Sequence, residues 1–464
     1  MTNSRTTHPV PIRLTRLAAC FSVMFGVSNE AMATNVTDCT DGGGANTLRK
    51  IVANAASGDI ISVSQCSLIT LSNGELSSSK ANVRIQGNGS NVISGNNTNR
   101  IIKHTGTGGY LAFHDVTLQD GRYVGLSALG GCIYSTSPNV RLYNTTVKNC
   151  SATETDISGN ARGAGIYALG HVEMRDSTVT GNTATQQSTG IFHAEGGGIY
   201  ADSVSAFNST ISNNTTQSTA GIASSEYTQG GGIFANSAVI YSSTLSNNSA
   251  GKYGAMKLGG GVNMVDSTIS GNSAVHRTGG LGLQGASTIA NSTIAFNSSS
   301  EAFGPAGVRT TSALNLQSTI IANSTYGSVA AKDVGGSGSI DPASANNLIM
   351  SSQFAVPADT IHEDPHLLPL ANNGGQTRTH ALNQDSPAID RGNAVFNYSN
   401  FVPVLCDQRG NPGHELNPPN TYNCSAGSGY VRTDTDPLHS KPDIGAFEVQ
   451  FPIADWIFFD GFGF

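Results

Sequence analysis

STVTGN (Ser177–Asn182), STISNN (Ser209–Asn214), STLSNN (Ser243–Asn248), STISGN (Ser267–Asn272), STIAFN (Ser292–Asn297) and STIIAN (Ser318–Asn323) repeat one pattern. Each is Ser-Thr-aliphatic, with asparagine three residues after the aliphatic position. The aliphatic members Val179, Ile211, Leu245, Ile269, Ile294 and Ile320 are separated by 32, 34, 24, 25 and 26 residues. Weaker copies lie upstream, TTVKNC ending at Cys150 and VTLQDG ending at Gly121. A period of this size marks stacked structural units, none of which can bury its apolar face alone.

Glycines lead into each unit: GGCIY (Gly130–Tyr134), GAGIY (Gly163–Tyr167), GGGIY (Gly196–Tyr200), GGGIF (Gly230–Phe234) and GGGV (Gly259–Val262). From Ile166, Ile199 or Ile233 to the next Ser-Thr-aliphatic residue is 12 or 13 residues. The intervening stretches, such as HVEMRDSTV (His171–Val179) and SVSAFNSTI (Ser203–Ile211), alternate with period two and read as strand. The three- and four-residue apolar spacing of helical repeats is missing, and leucine is too sparse for a leucine-rich repeat. The pattern therefore predicts an all-β chain wound as a parallel β-helix, its coils stacked about 4.8 Å apart. The usual hand of parallel crossovers makes it right-handed. Asn182, Asn214, Asn248, Asn272, Asn297 and Asn323 then occupy one turn of successive coils, where stacked amides hydrogen-bond up the column. An open stack needs capped ends. Thr47–Ala55 (TLRKIVANA) sets Leu48, Ile51, Val52 and Ala55 on one helical face, so a short amphipathic helix is expected across the first coil.

Residues 1–33 have the form of a secretory signal. Arg5, Arg13 and Arg16 precede the apolar run Leu17–Val27, and Ala31-Met32-Ala33 supplies a small-x-small cleavage site. Leu17-Ala18-Ala19-Cys20 matches a lipidation box, but the apolar run continues past Cys20, which favours cleavage after Ala33. The run is too short to span a bilayer, and no later segment reads as membrane-spanning. Of the 7 cysteines, Cys39, Cys66, Cys132, Cys150, Cys406 and Cys424 follow the leader. An even set in an exported chain suggests disulfides. Neighbour pairing would close compact loops, although six cysteines allow 15 connectivities. No C-x-x-C or histidine-rich spacing points to a metal, and no cofactor motif is present. With 24 basic and 31 acidic residues and a net charge of −7, the chain has no basic stripe for nucleic acid. The organisation expected is a leader (1–33), a β-helix (34–345), a C-terminal cap or anchor-type region (346–450) and an aromatic tail (451–464).

The C-terminal region carries a specific resemblance. DPHLLPLANNGGQTRTHALNQDSPAIDRGN (Asp364–Asn393), CDQRGNP (Cys406–Pro412) and DIGAFE (Asp443–Glu448) occur in the order found in exported bacterial β-helix proteins that end in a choice-of-anchor Q region. The opening stretches Thr47–Ile61 and Val83–Asn97 are similar to the start of those proteins. Asn46-Thr47-Leu48-Arg49-Lys50 departs from their usual Cys-Ser-Leu-Arg-Glu-Ala-like motif. The resemblance implies a pectate-lyase-like fold with polymorphic outer-membrane-protein-like repeats, on the surface of a Gram-negative bacterium. WIFFDGFGF (Trp456–Phe464) resembles the sorting tails of some exported proteobacterial proteins. His380, Asp390, Asp407, Arg409 and Asp443 could form a ligand cluster, but aspartates beside glycine turns commonly serve backbone hydrogen bonds, which favours a structural cap.

Chemistry on the coils is sparse. A glycosidase needs paired carboxylates, and a lyase needs a base beside a cation site. Glu154, Asp156, Glu173, Asp176, Glu195, Asp202, Glu226 and Asp266 are instead scattered over different slots. One alignment stands out: Arg162, Glu195 and Gln229 each lie four residues before a lead-in isoleucine, so Arg162 and Glu195 should be neighbours. On the bland reading this is a surface ion pair worth at most about 1 kcal/mol. On the functional reading His193 and Tyr227 join it as a ligand-binding patch. From the turn asparagine to the next glycines is 14 residues after Asn182, 16 after Asn214, 11 after Asn248 and 7 after Asn272, so longer insertions should wall one face. The function expected is adhesion or interaction without catalysis, with a surface glycan or a host or neighbour-cell protein as partner. The alternative is a polysaccharide lyase or hydrolase working in a groove along one sheet.

Overall fold

The computed structural model describes residues 33–155, 159–187, 193–220, 226–301, 304–393, 396–397, 402–403, 407–409 and 441–449. They form a right-handed parallel β-helix. One coil shows the path. Ile199–Tyr200 leads into Ser203–Phe207, then Thr210–Ser212, then Thr215–Ser218, and Thr228–Gln229 closes the turn. Each segment pairs in parallel with its equivalent one coil away. Val179 faces Ile211, then Leu245, Ile269 and Ile294 follow in unbroken register. The result is a 21-stranded sheet holding two strands per coil, a 10-stranded sheet and a 13-stranded sheet. Inward residues fill the interior; the column Val147, Val179, Ile211, Leu245, Ile269 and Ile294 is fully buried, each side chain contributing about 1.5–3 kcal/mol.

The asparagines form a continuous amide column. Asn182 Nδ2 donates to Asn214 Oδ1 (2.8 Å), Asn214 to Asn248 (3.0 Å), Asn248 to Asn272 (2.9 Å) and Asn272 to Asn297 (3.0 Å). Each of these Oδ1 atoms also accepts the backbone N–H of the preceding asparagine. The second Nδ2 proton reaches a carbonyl of the preceding coil, as from Asn248 to Ile211 (2.9 Å). Such full satisfaction lets polar groups sit at zero exposure. The glycine before Ile166, Ile199 and Ile233 makes room for the column: a Cβ on Gly198 would lie 3.0 Å from Asn214 Cγ. Gly196, at φ 63°, turns the chain into the strand. A second column, built from the serines of Ser-Thr-aliphatic, was not foreseen from the sequence. Ser209, Ser243, Ser267 and Ser292 each accept the backbone N–H of the preceding serine at 3.0–3.2 Å.

Two expectations are corrected by register. Ile294 pairs with Ile321, not Ile320. The coil holds one extra residue, Ser324 stands at the buried column position, and Asn323 occupies the corner before it at φ 56°. Likewise the lead-in after Ile233 is Met256, and GGGV belongs to the next turn, since Val262 pairs with Ala238. Long insertions therefore follow only Cys150, Asn182 and Asn214, and parts of them (156–158, 188–192, 221–225) lie outside the described residues.

Helix α1 (Leu48–Asn54) starts at the Thr47 cap and buries Leu48, Ile51 and Val52 over the first coil. Cys39–Cys66 and Cys132–Cys150 are disulfide-bonded. Cys406, Cys424, residues 1–32 of the leader and the aromatic tail lie outside the described residues. Among the described residues no helix is long and apolar enough to cross a membrane.

The C-terminal block runs along a flank as a strap. Thr377 Oγ1 donates to the Ser242 carbonyl (2.9 Å), and Thr244 Oγ1 donates to the Arg378 carbonyl (2.7 Å). Gln408, fully buried, receives Thr268 Oγ1 (2.6 Å) and donates to Thr244 Oγ1 (2.9 Å). The Ala446 N–H reaches Thr293 Oγ1 (3.0 Å), and Gly445 N–H the Ser318 carbonyl (2.9 Å). Leu382, Ala388 and Ile444 add a small apolar core against Ile320, Ala322 and Leu348.

Candidate functional site

Strand register places the predicted site residues together on the loop-bearing flank. Arg162 pairs with Glu195, and Arg162 Nε donates to Glu195 Oε2 at 2.7 Å. His193 Nδ1 is 3.9 Å from Glu195 Oε1. Its ring meets Tyr227 edge-on, with centroids 5.7 Å apart. The pair is not a surface pair: the Glu195 side chain is only 7% exposed and that of Arg162 27%, so the carboxylate is desolvated and held by its partner. Below it the column continues through Gln229, Lys252 and His276.

The sequence reading missed the neighbouring aromatic track. The residue after each lead-in isoleucine points outward from the 10-stranded sheet, and Tyr134, Tyr167, Tyr200 and Phe234 stack at 5.3–5.4 Å between centroids. The signal was present, because period two puts the residue after a buried isoleucine on the opposite face. Lys103 and Lys257 flank the track in register. Arg162 joins track and patch, its guanidinium 4.9 Å from the Tyr200 ring centre. Burial pushes the Tyr167 and Tyr200 hydroxyls up from their usual range. Burial also pulls the Lys257 ammonium down to about 8, against the opposing pull of Glu195.

Several of the central carboxylates are engaged in pairs. Glu173 binds Arg175 (2.8 Å) and Arg141 (3.5 Å), Glu226 binds Lys252, and Glu301 binds His276 (2.6 Å). Asp176 accepts from Asn208 (2.5 Å). Among the described residues no group of three or more His, Cys, Asp or Glu side chains converges as a metal site.

The terminal cluster is a knot within the strap. Asp407 accepts from Arg409 Nε (2.8 Å) and from the Glu448 N–H (3.0 Å). Asp443 accepts the N–H groups of Asp390 (2.9 Å) and Val449 (2.7 Å), while the Arg409 guanidinium lies 3.8 Å over the Phe447 ring. His380 is 3% exposed, held between Ser270 Oγ (2.8 Å) and the Leu368 carbonyl (2.7 Å). These side chains bind the block to itself and to the coils.

No protein-family model, no curated protein and no solved structure matches this chain.

Proposed function

We propose that this chain is an exported, cell-surface β-helix that acts by adhesion, binding a surface glycan or a neighbouring protein along its flank without catalysis. The observation that carries this reading is the convergence of Arg162, His193, Glu195 and Tyr227 beside the aromatic track, on the coils with long insertions. Guanidinium, carboxylate and ring edges are the groups that recognise sugar hydroxyls or peptide amides. The pairing of Glu173, Glu195 and Glu226 favours binding over acid–base work at these residues, since a carboxylate held by arginine or lysine is a poor proton carrier. Export rests on the leader-like segment and the terminal resemblance.

The test is a glycan array probed with the purified chain and with Glu195→Ala, which should fold and bind at least about tenfold more weakly. Binding that is unchanged on every glycan would remove this patch from the reading. One observation favours a polysaccharide lyase as the second reading: Lys257, with its pKa near 8, has the proton affinity of a base working near neutral pH. Ultraviolet absorbance of an unsaturated product, lost in Lys257→Ala, would establish it over adhesion.

A further inference from the structure

At the corner before each column position the backbone takes a left-handed φ. Asp120 (55°), Asn149 (56°), Gly181 (68°), Asn213 (56°), Asn247 (56°), Gly271 (67°) and Asn323 (56°) occupy it. Glycine, asparagine and aspartate are the residues that adopt this geometry with least strain. The exception is Phe296, at φ 58°. A bulky side chain there is an outlier, and strain of this kind persists where function holds it. Packing does not account for it, because Phe296 stays 40% exposed, its ring meeting the strap at His380 with centroids 5.0 Å apart.

The ring instead walls a cavity of about 920 Å³ between the last coils and the strap. This falls within the range of small-molecule sites, roughly 300–1,000 Å³. Tyr326, Lys332, Asp333, Gln353 and His366 complete the lining that matters. Asp333 is 2% exposed, and its Oδ1 accepts the Ser324 N–H at 2.9 Å. Lys332 stands against two carboxylates, Asp333 and Asp364, so the cavity has no surplus of positive charge to hold an anion. An exposed aromatic face opposite amide, hydroxyl and carboxyl groups matches a pyranose, which has one C–H face and a rim of hydroxyls.

We infer that this cavity binds a single neutral sugar unit, with the Phe296 ring against its C–H face and Lys332, Asp333 and Gln353 facing its hydroxyls. The site is separate from the Arg162–Glu195 patch, four strand pairings along the stack, or about 20 Å.

The test is calorimetric titration of the full chain with glucose, galactose, mannose, N-acetylglucosamine and fucose. At least one should bind saturably, and Phe296→Asn should weaken it at least about tenfold. The same variant should unfold at an unchanged or higher temperature, because asparagine suits the corner. Glu195→Ala should leave this binding intact, so failure of the cavity and failure of the flank patch are told apart. Absence of saturable binding by the unaltered chain overturns the inference, as does Phe296→Asn that loses stability and keeps affinity. Should Phe296→Asn lose both, Lys332→Ala decides, since that exposed residue can be removed without unfolding: weakening of about threefold supports the site and unchanged affinity overturns it.

Discussion

Asn248→Ala tests the amide column where it is deepest. The side chain has zero exposure. Its Oδ1 accepts both the N–H and the Nδ2 of Asn214 at 3.0 Å, and its Nδ2 donates at 2.9 Å to Asn272 Oδ1 and to the Ile211 carbonyl. Truncation leaves the Asn214 N–H without its acceptor and the Ile211 carbonyl without this donor. A buried polar group stripped of its partner costs about 1–3 kcal/mol, so the variant should lose about 3–5 kcal/mol. Asn323→Ala is the internal control. Asn323 belongs to the same sequence repeat but sits outside the column, and alanine at its left-handed φ should cost only about 1 kcal/mol. Urea unfolding of the two variants measures the difference, and hydrogen exchange at the Asn214 amide locates it. Equal losses for Asn248→Ala and Asn323→Ala, or an Asn214 amide that keeps its protection, would refute the column as the source of stability.

Acid should destabilise the fold from about pH 6.5 downward. His104, His171 and His380 have pKa values lowered by burial, and His114 is pulled down to about 4 by burial and by Arg84. In each case the unfolded chain binds more protons below the usual histidine range, so stability falls as pH drops through that window. Asp333, pushed up to about 6 by burial, works in the opposite direction between roughly pH 4 and 6 but is one group against four; a midpoint in urea that rises from pH 7 to pH 5 would contradict the assignment. Gln408→Ala should cost about 2–4 kcal/mol by stripping Thr244, Thr268 and Thr377 of a shared partner. It should also speed proteolysis of the strap before that of the coils, and uniform digestion of both would show that the strap is not separately fastened.

The fold was legible because one constraint acts locally and repeats. Most column positions of the central coils carry an amide three residues after an aliphatic residue, so sequence spacing alone finds the coil. The same logic slipped at Ser318–Asn323. Two consecutive isoleucines both satisfy the local pattern, and only pairing across coils distinguishes Ile321 from Ile320. GGGV failed for a related reason, since glycine serves two different turns of this coil and composition cannot tell them apart. The Arg162–Glu195 contact was readable because parallel register turns equal offsets into adjacency. Burial of Glu195 was not, because it depends on residues from several coils at once.

The strap shows what local reading cannot reach, and also where its trace lies. Its hydrogen bonds to the coils join residues as far as 165 apart, and no periodicity encodes them. Yet the outward column it covers changes character along the stack. Lys148, Thr180, Ser212, Ser246, Ser270, Ala295 and Ala322 face one another in register, and they shrink as the strap approaches. The adjacent threonines become buried on the same schedule: Thr146, Thr178 and Thr210 are half-buried, whereas Thr244, Thr268 and Thr293 are at most 1% exposed. A surface column that loses side-chain volume in one direction has something lying on it at that end. This divides the molecule's surface. Among the described residues the flank under the strap is committed to the chain's own C-terminal block, and the proposed ligand surfaces are the loop-bearing flank and the corner at Phe296.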